Sequence, residues 1–227
     1  MDLLPTEDKY FVDLESCNND DSLDDELHFL KTKTAREGRE IQVYNSKTYA
    51  RLVSGCVVLN STHDKLLMIS SSKHIDNWVI PKGGIEYDEV GNFKLTARRE
   101  TWEEAGVLGK ILKKLPVVED HRFLKSDNVD KTFKNIDLHI NGSKIPRSEF
   151  HFYEMELTEL CNEWPEGNKR KRKWCTYEEA KHELIKSNRP ELIEALNDSR
   201  IAKDCVKIKL DEHSNQLLDA QPETDDY

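Results

Sequence analysis

The stretch Phe93–Ala105 constrains the fold of this chain more than any other part of the sequence. It contains neither glycine nor proline, and Gly106 follows it at the position where a left-handed residue commonly ends a helix. Within it, Glu100, Glu103 and Glu104 have the spacing i, i+3 and i+4, so a helix would place their carboxylates on one face. The segment therefore predicts a helix with an acidic face.

An acidic helix face has two interpretations. Three like charges at this spacing weaken an isolated helix by about 0.2–0.5 kcal/mol per pair, and such a face is often simply solvated. Hard divalent cations prefer carboxylate oxygens as ligands, so the same face would also suit a metal site. The three glutamates alone favour the solvated face, and the residues around them decide between the two interpretations.

Apolar, β-branched runs predict strands on both sides of this helix, separated by polar turn residues. The predicted strands are Arg51–Leu59, Lys65–Ser70, Trp78–Pro81, Gly109–Val118, Phe150–Leu157 and Arg172–Thr176. Residues 82–84 are expected to break the third strand, and the polar residues 119–148 to form a long loop. Two further helices are predicted, from Tyr177 to Ser187 and from Pro190 to Lys203. One helix placed between sheet strands indicates a mixed α/β fold.

Charge is distributed unevenly along the chain. Residues 1–30 contain ten acidic residues and one base, and residues 211–227 contain six acidic residues and no base. Taking these charges of −9 and −6 from the net charge of −10 leaves +5 for the residues between them. We therefore predict a basic domain over residues 32–205, compatible with an anionic ligand, between disordered acidic tails at 1–31 and 206–227.

Cysteine usage and hydropathy indicate the compartment. The five cysteines are scattered, and none belongs to a CxxC pair, which is typical of reduced thiols. No apolar run approaches the ~20 residues of a membrane span, and the first residues lack the pattern of a signal peptide. We therefore expect a cytoplasmic and nuclear protein that does not associate with membranes.

The segment around the acidic helix resembles the Nudix box, in which a glycine, a glutamate and the pattern R-E-x-x-E-E-x-G follow in order. Five fixed positions match, namely Arg99, Glu100, Glu103, Glu104 and Gly106, and Gly83-Gly84 stands ahead of them. The spacer between Glu89 and Arg99 is longer than is usual in the family. Whether Glu86 or Glu89 pairs with Arg99 therefore stays open at this point.

The resemblance extends beyond the box, from Thr34 to Lys203. The runs TAREGRE, SSSKHIDNWVIPKGG, EFHFYE, KRKRKW and NRPELIEALN are similar to the diphosphoinositol polyphosphate phosphohydrolase branch, most of all its fungal members. This branch implies an α/β/α sandwich that removes the β-phosphate from diphosphoinositol polyphosphates and cleaves diadenosine polyphosphates and inorganic polyphosphate. The alternatives are an RNA-cap hydrolase of the same superfamily and a non-catalytic inositol-phosphate sensor.

The resemblance also implies roles for individual residues. Mg²⁺, or Mn²⁺ in its place, would be held by Glu100, Glu104 and the main-chain carbonyl of Lys82. Glu103 would accept the proton of the attacking water, because a carboxylate beside a metal-bound water can act as a general base.

Substrate contacts are implied at cations and hydroxyls suited to phosphate groups. They fall on Arg51, Ser71, Ser72, Lys73, Arg147, Arg170 and Arg189. The expected ligands are small-molecule polyphosphates. A nucleic acid is not expected, although the basic run of residues 169–173 would be compatible with one. Trp78 and Trp174 are expected to pack in the core.

Overall fold

Two long strands that run parallel to each other form the centre of the fold. They are β3 (Arg51–Leu59) and β11 (Ser148–Leu160), and their register extends from Ser148 opposite Arg51 to Glu156 opposite Leu59. The computed structural model describes residues 10–16, 31–122, 139–140, 143–144 and 146–201. Every residue of β3 after Arg51 is buried, as expected for a central strand covered on both faces.

The remaining elements surround this pair. The other strands are β1 (Phe11–Val12), β2 (Tyr44–Asn45), β4 (Leu66–Ser70), β5 (Trp78–Val79), β6 (Lys82–Gly84), β7 (Val107–Lys114), β8 (Val118–Glu119), β9 (His139–Ile140), β10 (Ser143–Lys144) and β12 (Arg172–Cys175). The helices are α1 (Phe93–Ala105), α2 (Tyr177–Lys186) and α3 (Glu191–Asp198). Among the described residues, β9 and β10 pair only with each other, and the other strands form one mixed sheet.

Helix α1 has the predicted bounds. The Asn92 side chain accepts a hydrogen bond from the Leu95 amide at 3.1 Å and so caps its first turn. Gly106 ends the helix in the left-handed conformation, with φ 62°, and its amide donates to the Trp102 carbonyl at 2.9 Å. Both ends are thus determined by local residues, which is why this helix was predictable.

The prediction that residues 82–84 break a strand is wrong. They form β6, which pairs antiparallel with β3 and places Gly55 opposite Lys82. The two backbones approach so closely that a Cβ on Gly55 would lie 2.2 Å from the Pro81 carbonyl oxygen. The glycines here allow the two backbones to approach closely within the sheet and do not mark a turn.

The predicted tail and loop also differ from the structure. Within 10–16, β1 pairs in parallel with β2, and Val12 is buried in the core, so the domain includes these residues. Residues 1–9, 17–30 and 202–227, which make up the rest of the predicted acidic tails and the end of the predicted domain, lie outside the described residues. In the predicted loop, Glu119 and Ser148 belong to strands, and β9 and β10 form a short hairpin. Most of that loop, 123–138, lies outside the described residues.

The last predicted helix is interrupted. It begins after Pro190, as the proline indicated, and α3 ends at Asp198 because Ser199 is extended, with ψ 165°, whereas residues 200 and 201 are again helical and 202–203 lie outside the described residues. Trp78 and Trp174 pack against the core, as predicted. In the part of the chain that the structure describes, no helix is long and apolar enough to cross a membrane.

Candidate active site

Strand directions bring the predicted site residues to the same end of the sheet, where β3 and β11 begin. Strands β3 and β11 run in parallel, so their first residues, Arg51 and Ser148, are neighbours, and Arg147 lies beside them. Strand β4 runs antiparallel to β3 and therefore ends on this side of the sheet. Strand β12 runs antiparallel to β4 and begins there. Residues far apart in the sequence can therefore face one ligand.

Arg99 is paired with Glu89. Its Nε donates to Glu89 Oε1 at 2.6 Å and its Nη2 to Glu89 Oε2 at 2.9 Å, whereas Glu86 Oε1 is 4.0 Å from Nη2. Glu86 contacts Arg36 instead. A 3₁₀ turn at Tyr87–Glu89 directs Glu89 inward, and this answers the question that the longer spacer left open.

The Arg99 guanidinium also organises the acidic face of α1. Nη1 donates to Glu100 Oε1 at 2.7 Å and to Glu103 Oε2 at 3.2 Å, and Nη2 donates to the Gly84 carbonyl at 3.1 Å. A single buried arginine therefore connects the helix to the end of strand β6, and its planar group suits several carboxylates at once.

Glu104 connects the helix to two other segments. Its Oε2 accepts a hydrogen bond from the Lys82 amide at 2.7 Å, and its Oε1 contacts the Arg170 guanidinium. Arg170 also contacts Glu166 and donates to the Ser70 carbonyl at 3.0 Å. The end of β4, the start of β6 and the segment before β12 are thereby held around one carboxylate.

The three glutamates lie in an environment that opposes their negative charge. Burial raises the pKa of Glu100 to about 8, and the carboxylates of Glu104 and Glu103 contribute to the rise, while Arg99 opposes it. Burial also raises the pKa of Glu103 and Glu104. A carboxylate cluster of this kind is stabilised by a cation.

The oxygen donors of this cluster fit a hard divalent cation. The Glu100 carboxylate lies on Gly83, where a Cβ would come within 2.0 Å of it, so a side chain at this position would move the carboxylate. Glu103 Oε1 is buried and has no hydrogen-bond partner among the described residues. Within the described residues, no three His, Cys, Asp or Glu side chains are already arranged to hold a metal ion. Glu100 and Glu104 contact arginines in this arrangement and would turn to hold an ion.

Four cationic side chains share the space beside the carboxylates. Burial lowers the pKa of the Lys82 ammonium to about 7, and the charges of Arg189, Arg170 and Arg51 lower it further, although Glu104 opposes them. Lys82 Nζ donates to the Ile80 carbonyl at 3.2 Å. The sequence predicted a role for the Lys82 carbonyl alone, whereas the structure also places its ammonium in the site.

The other predicted contact residues are in the turn after β4 and at two arginines. Ser71 Oγ accepts hydrogen bonds from the amides of Lys73 and His74, at 3.3 and 3.4 Å, and so forms a turn in which Ser72 and Lys73 are exposed. The half-buried Arg147 side chain makes no hydrogen bond or ion pair within the described part of the chain. Arg189 contacts Glu191 and lies 5.6 Å from the Phe150 ring.

Residues 31–42, which we name the N-terminal strap, cross α1 and join several parts of the site. Sequence patterns gave no sign of this, because the strap is polar and its partners are distant in the chain. The contacts are Thr32 with Trp102 at 3.0 Å, Arg36 with Glu86, Glu37 with Lys169 at 2.7 Å and Gln42 with Arg51 at 2.8 Å.

Comparisons with known proteins identify the family of this chain. The model of the NUDIX domain matches residues 50–196. Nudix hydrolase 12, mitochondrial, of Arabidopsis thaliana is 31% identical over 190 residues, which cover 75% of this chain and 85% of that protein. Diphosphoinositol polyphosphate phosphohydrolase 3-alpha of Homo sapiens is 27% identical over 143 residues, covering 62% and 73%. A solved C. elegans Ap4A hydrolase is 17% identical, covers 66% of this chain and 95% of its own, and has a TM-score of 0.42.

Proposed function

The chain belongs to the Nudix hydrolase family, and we propose that it removes the β-phosphate from diphosphoinositol polyphosphates and also cleaves diadenosine polyphosphates and inorganic polyphosphate. The family match confirms the predicted family and its mixed α/β fold. Nudix hydrolases generally need a divalent metal, and we propose Mg²⁺, with Mn²⁺ as a substitute. Relatives named diphosphoinositol polyphosphate phosphohydrolases, at about 27% identity, support the choice of substrate.

The observation that carries this proposal is the convergence of Arg51, Lys82, Arg170 and Arg189 beside the acidic face of α1. A single anhydride needs few cations besides the metal. A ring that carries phosphates in several directions needs cations in several directions, and those of this site come from separate segments of the chain. Arginine binds phosphate through two hydrogen bonds, which suits such a ligand.

The metal would be held by Glu100, Glu104 and the Lys82 carbonyl. A bound divalent cation neutralises phosphate charge and makes a water ligand more acidic. Glu103 is proposed to accept the proton, with its carboxylate oriented by Arg99 Nη1 at 3.2 Å and by the Arg36 amide. Burial raises the pKa of Glu103, which makes its carboxylate a stronger base.

The proposal is tested by turnover with four substrates, each with Mg²⁺ and with a chelator. We expect metal-dependent release of phosphate from diphosphoinositol pentakisphosphate, with a higher kcat/KM than for diadenosine hexaphosphate or inorganic polyphosphate. A higher kcat/KM on capped RNA would indicate a cap hydrolase instead. Tight binding of the inositol ligand with no turnover of any substrate would indicate a sensor.

A further inference from the structure

Gln42 lies between the N-terminal strap and one of the site's cations. Its Oε1 accepts a hydrogen bond from Arg51 Nη1 at 2.8 Å, and its Nε2 donates to the Gly38 carbonyl at 3.1 Å. A guanidinium can only donate and a carbonyl can only accept. The two partners therefore determine the orientation of the amide, with its oxygen towards Arg51.

The amide of Gln42 is also held in place by packing. It lies on Gly84, where a Cβ would come 2.3 Å from Gln42 Cδ, so a side chain at position 84 would displace it. The Gln42 main chain forms a β-bridge with Glu86, just after that glycine. The Gln42 side chain thus lies on strand β6, which carries Lys82 and faces the Glu100 carboxylate.

The partner of Arg51 differs in charge from those of the other arginines. Among the described residues, Gln42 is the one hydrogen-bond partner of the Arg51 guanidinium. Arg170 contacts the carboxylates of Glu104 and Glu166, and Arg189 contacts that of Glu191. A neutral amide orients the guanidinium without forming an ion pair with it, although the Glu100 carboxylate also attracts its charge.

We propose that Gln42 is a positioning residue that orients Arg51 through a neutral hydrogen bond for contact with a phosphate group of the substrate. This inference rests on the proposed function, because it assumes that Arg51 contacts the ligand. It adds a residue outside the Nudix box that sets the affinity for highly phosphorylated ligands.

The test replaces Gln42 by a side chain of the same shape that carries a negative charge. In Gln42→Glu, the new carboxylate would pair with Arg51 and cancel its charge. We expect inositol hexakisphosphate to bind ~10-fold more weakly, as measured by calorimetry, since a charge-assisted contact is lost. Gln42→Met removes the hydrogen bond but adds no charge, and we expect a smaller loss of ~3-fold. Thr34→Glu, at an exposed strap position, adds the same charge and should change binding by less than ~2-fold.

A double-mutant cycle separates positioning from a merely structural effect. If Gln42 acts through Arg51, Gln42→Glu should change binding by less than ~2-fold in the Arg51→Met background. A loss of equal size in both backgrounds would overturn the inference, and thermal unfolding of each variant identifies any that fail to fold. Wild-type protein that does not bind inositol hexakisphosphate would overturn the proposed function and this role with it. Binding that Arg51→Met weakens and Gln42→Glu leaves unchanged would overturn the role of Gln42 alone.

Discussion

The two ends of the parallel pair β3 and β11 treat charge in opposite ways. Towards the far end, the buried Glu154 carboxylate accepts a hydrogen bond from the Arg200 amide at 2.6 Å and lies 3.8 Å from Lys113 Nζ. Glu156, next along the strand, lies 3.3 Å from His63 Nε2. Glu154 therefore has basic partners within the protein, since Arg200 Nε also lies 3.4 Å from its Oε1.

At the near end, the balance is left incomplete. Arg51 has a neutral partner, and Lys82 Nζ donates to a main-chain carbonyl. Buried charges are costly unless they are paired, and these two lie where a ligand can supply the pair. The comparison indicates that the ion pairs at the far end stabilise the fold. At the near end, Arg51 and Lys82 have neutral partners, so their charges can stabilise a bound anion.

The largest expected effect is on chemistry at the near end. Glu103→Gln keeps the shape of the side chain but removes the proton acceptor, so kcat should fall by about 10²–10⁴-fold. The temperature of unfolding should stay close to that of wild type, because a glutamine can still accept from Arg99. Steady-state kinetics and thermal unfolding measure the two quantities, and a variant with more than half the wild-type kcat would rule out Glu103 as the base.

The next effect compares Arg147 with Arg170, which is paired with Glu104 and Glu166. Arg147→Met should raise KM for diphosphoinositol pentakisphosphate by about 10–150-fold, corresponding to about 1.5–3 kcal/mol, and KM for diadenosine hexaphosphate by less. Arg170→Met also releases Glu104 from its arginine, so it should impair both substrates. Parallel KM measurements test this, and the Arg147 loss should shrink as salt rises. Equal losses with Arg147→Met for both substrates would contradict a contact specific to the inositol ligand.

A smaller effect is expected at the far end, on stability alone. Glu154→Gln should lower the free energy of unfolding by about 1–3 kcal/mol, because charge-assisted contacts of a buried carboxylate are lost. Glu159→Gln, at an exposed ion pair with Lys31, should cost less than about 1 kcal/mol. Urea unfolding gives both values, and kcat should change little in either variant. A large loss of kcat in Glu154→Gln would mean that the two ends are coupled.

The last effect concerns pH and the metal. Folded Glu100 keeps its proton up to about pH 8, whereas an ordinary glutamate loses it near 4.5. The folded state therefore binds more protons over this range, and its stability in chelator should fall as pH rises from about 5 to about 8. Each 1 kcal/mol corresponds to about 2–4 °C in Tm for a chain of this size.

Two measurements sharpen this prediction. Glu100→Gln should flatten the dependence of Tm on pH in chelator. Mg²⁺ should raise Tm of the wild type more at about pH 8 than at about pH 5, because protons compete for the carboxylates. A wild-type Tm that rises steadily with pH in chelator would contradict the raised pKa of Glu100.

The successes and failures of sequence prediction follow the range of the interactions. Helix α1 depends on a local cap at Asn92 and a local stop at Gly106, and its three glutamates were predictable from spacing. The partner of Arg99 was not, because a 3₁₀ turn between the two candidates determines which carboxylate points inward. The assignment of metal, base and substrate residues came from the family resemblance, and those roles stay predictions.

Contacts across the chain explain what the sequence did not show. Strand β1 is two residues long and pairs with β2 across the polar segment between them, so no periodicity marks it. Gln42 and the Lys82 ammonium belong to the site because β3 lies beside both of their segments. Neither residue type predicts such a role, since glutamine and lysine are ordinary at exposed positions.

The N-terminal strap makes occupancy of the site measurable without turnover. The Gln42 amide donates to the Arg39 carbonyl at 3.2 Å, within the strap itself, and the strap is linked to Arg51 through the Gln42 side chain. Segments tied mainly by side chains open locally at a lower free energy than the whole domain, and their amides exchange with deuterium first. A phosphate bound by Arg51 would restrain the Arg51 guanidinium, and with it the hydrogen bond to Gln42. Slower exchange at Gln42 would then report the ligand from a position that never touches it.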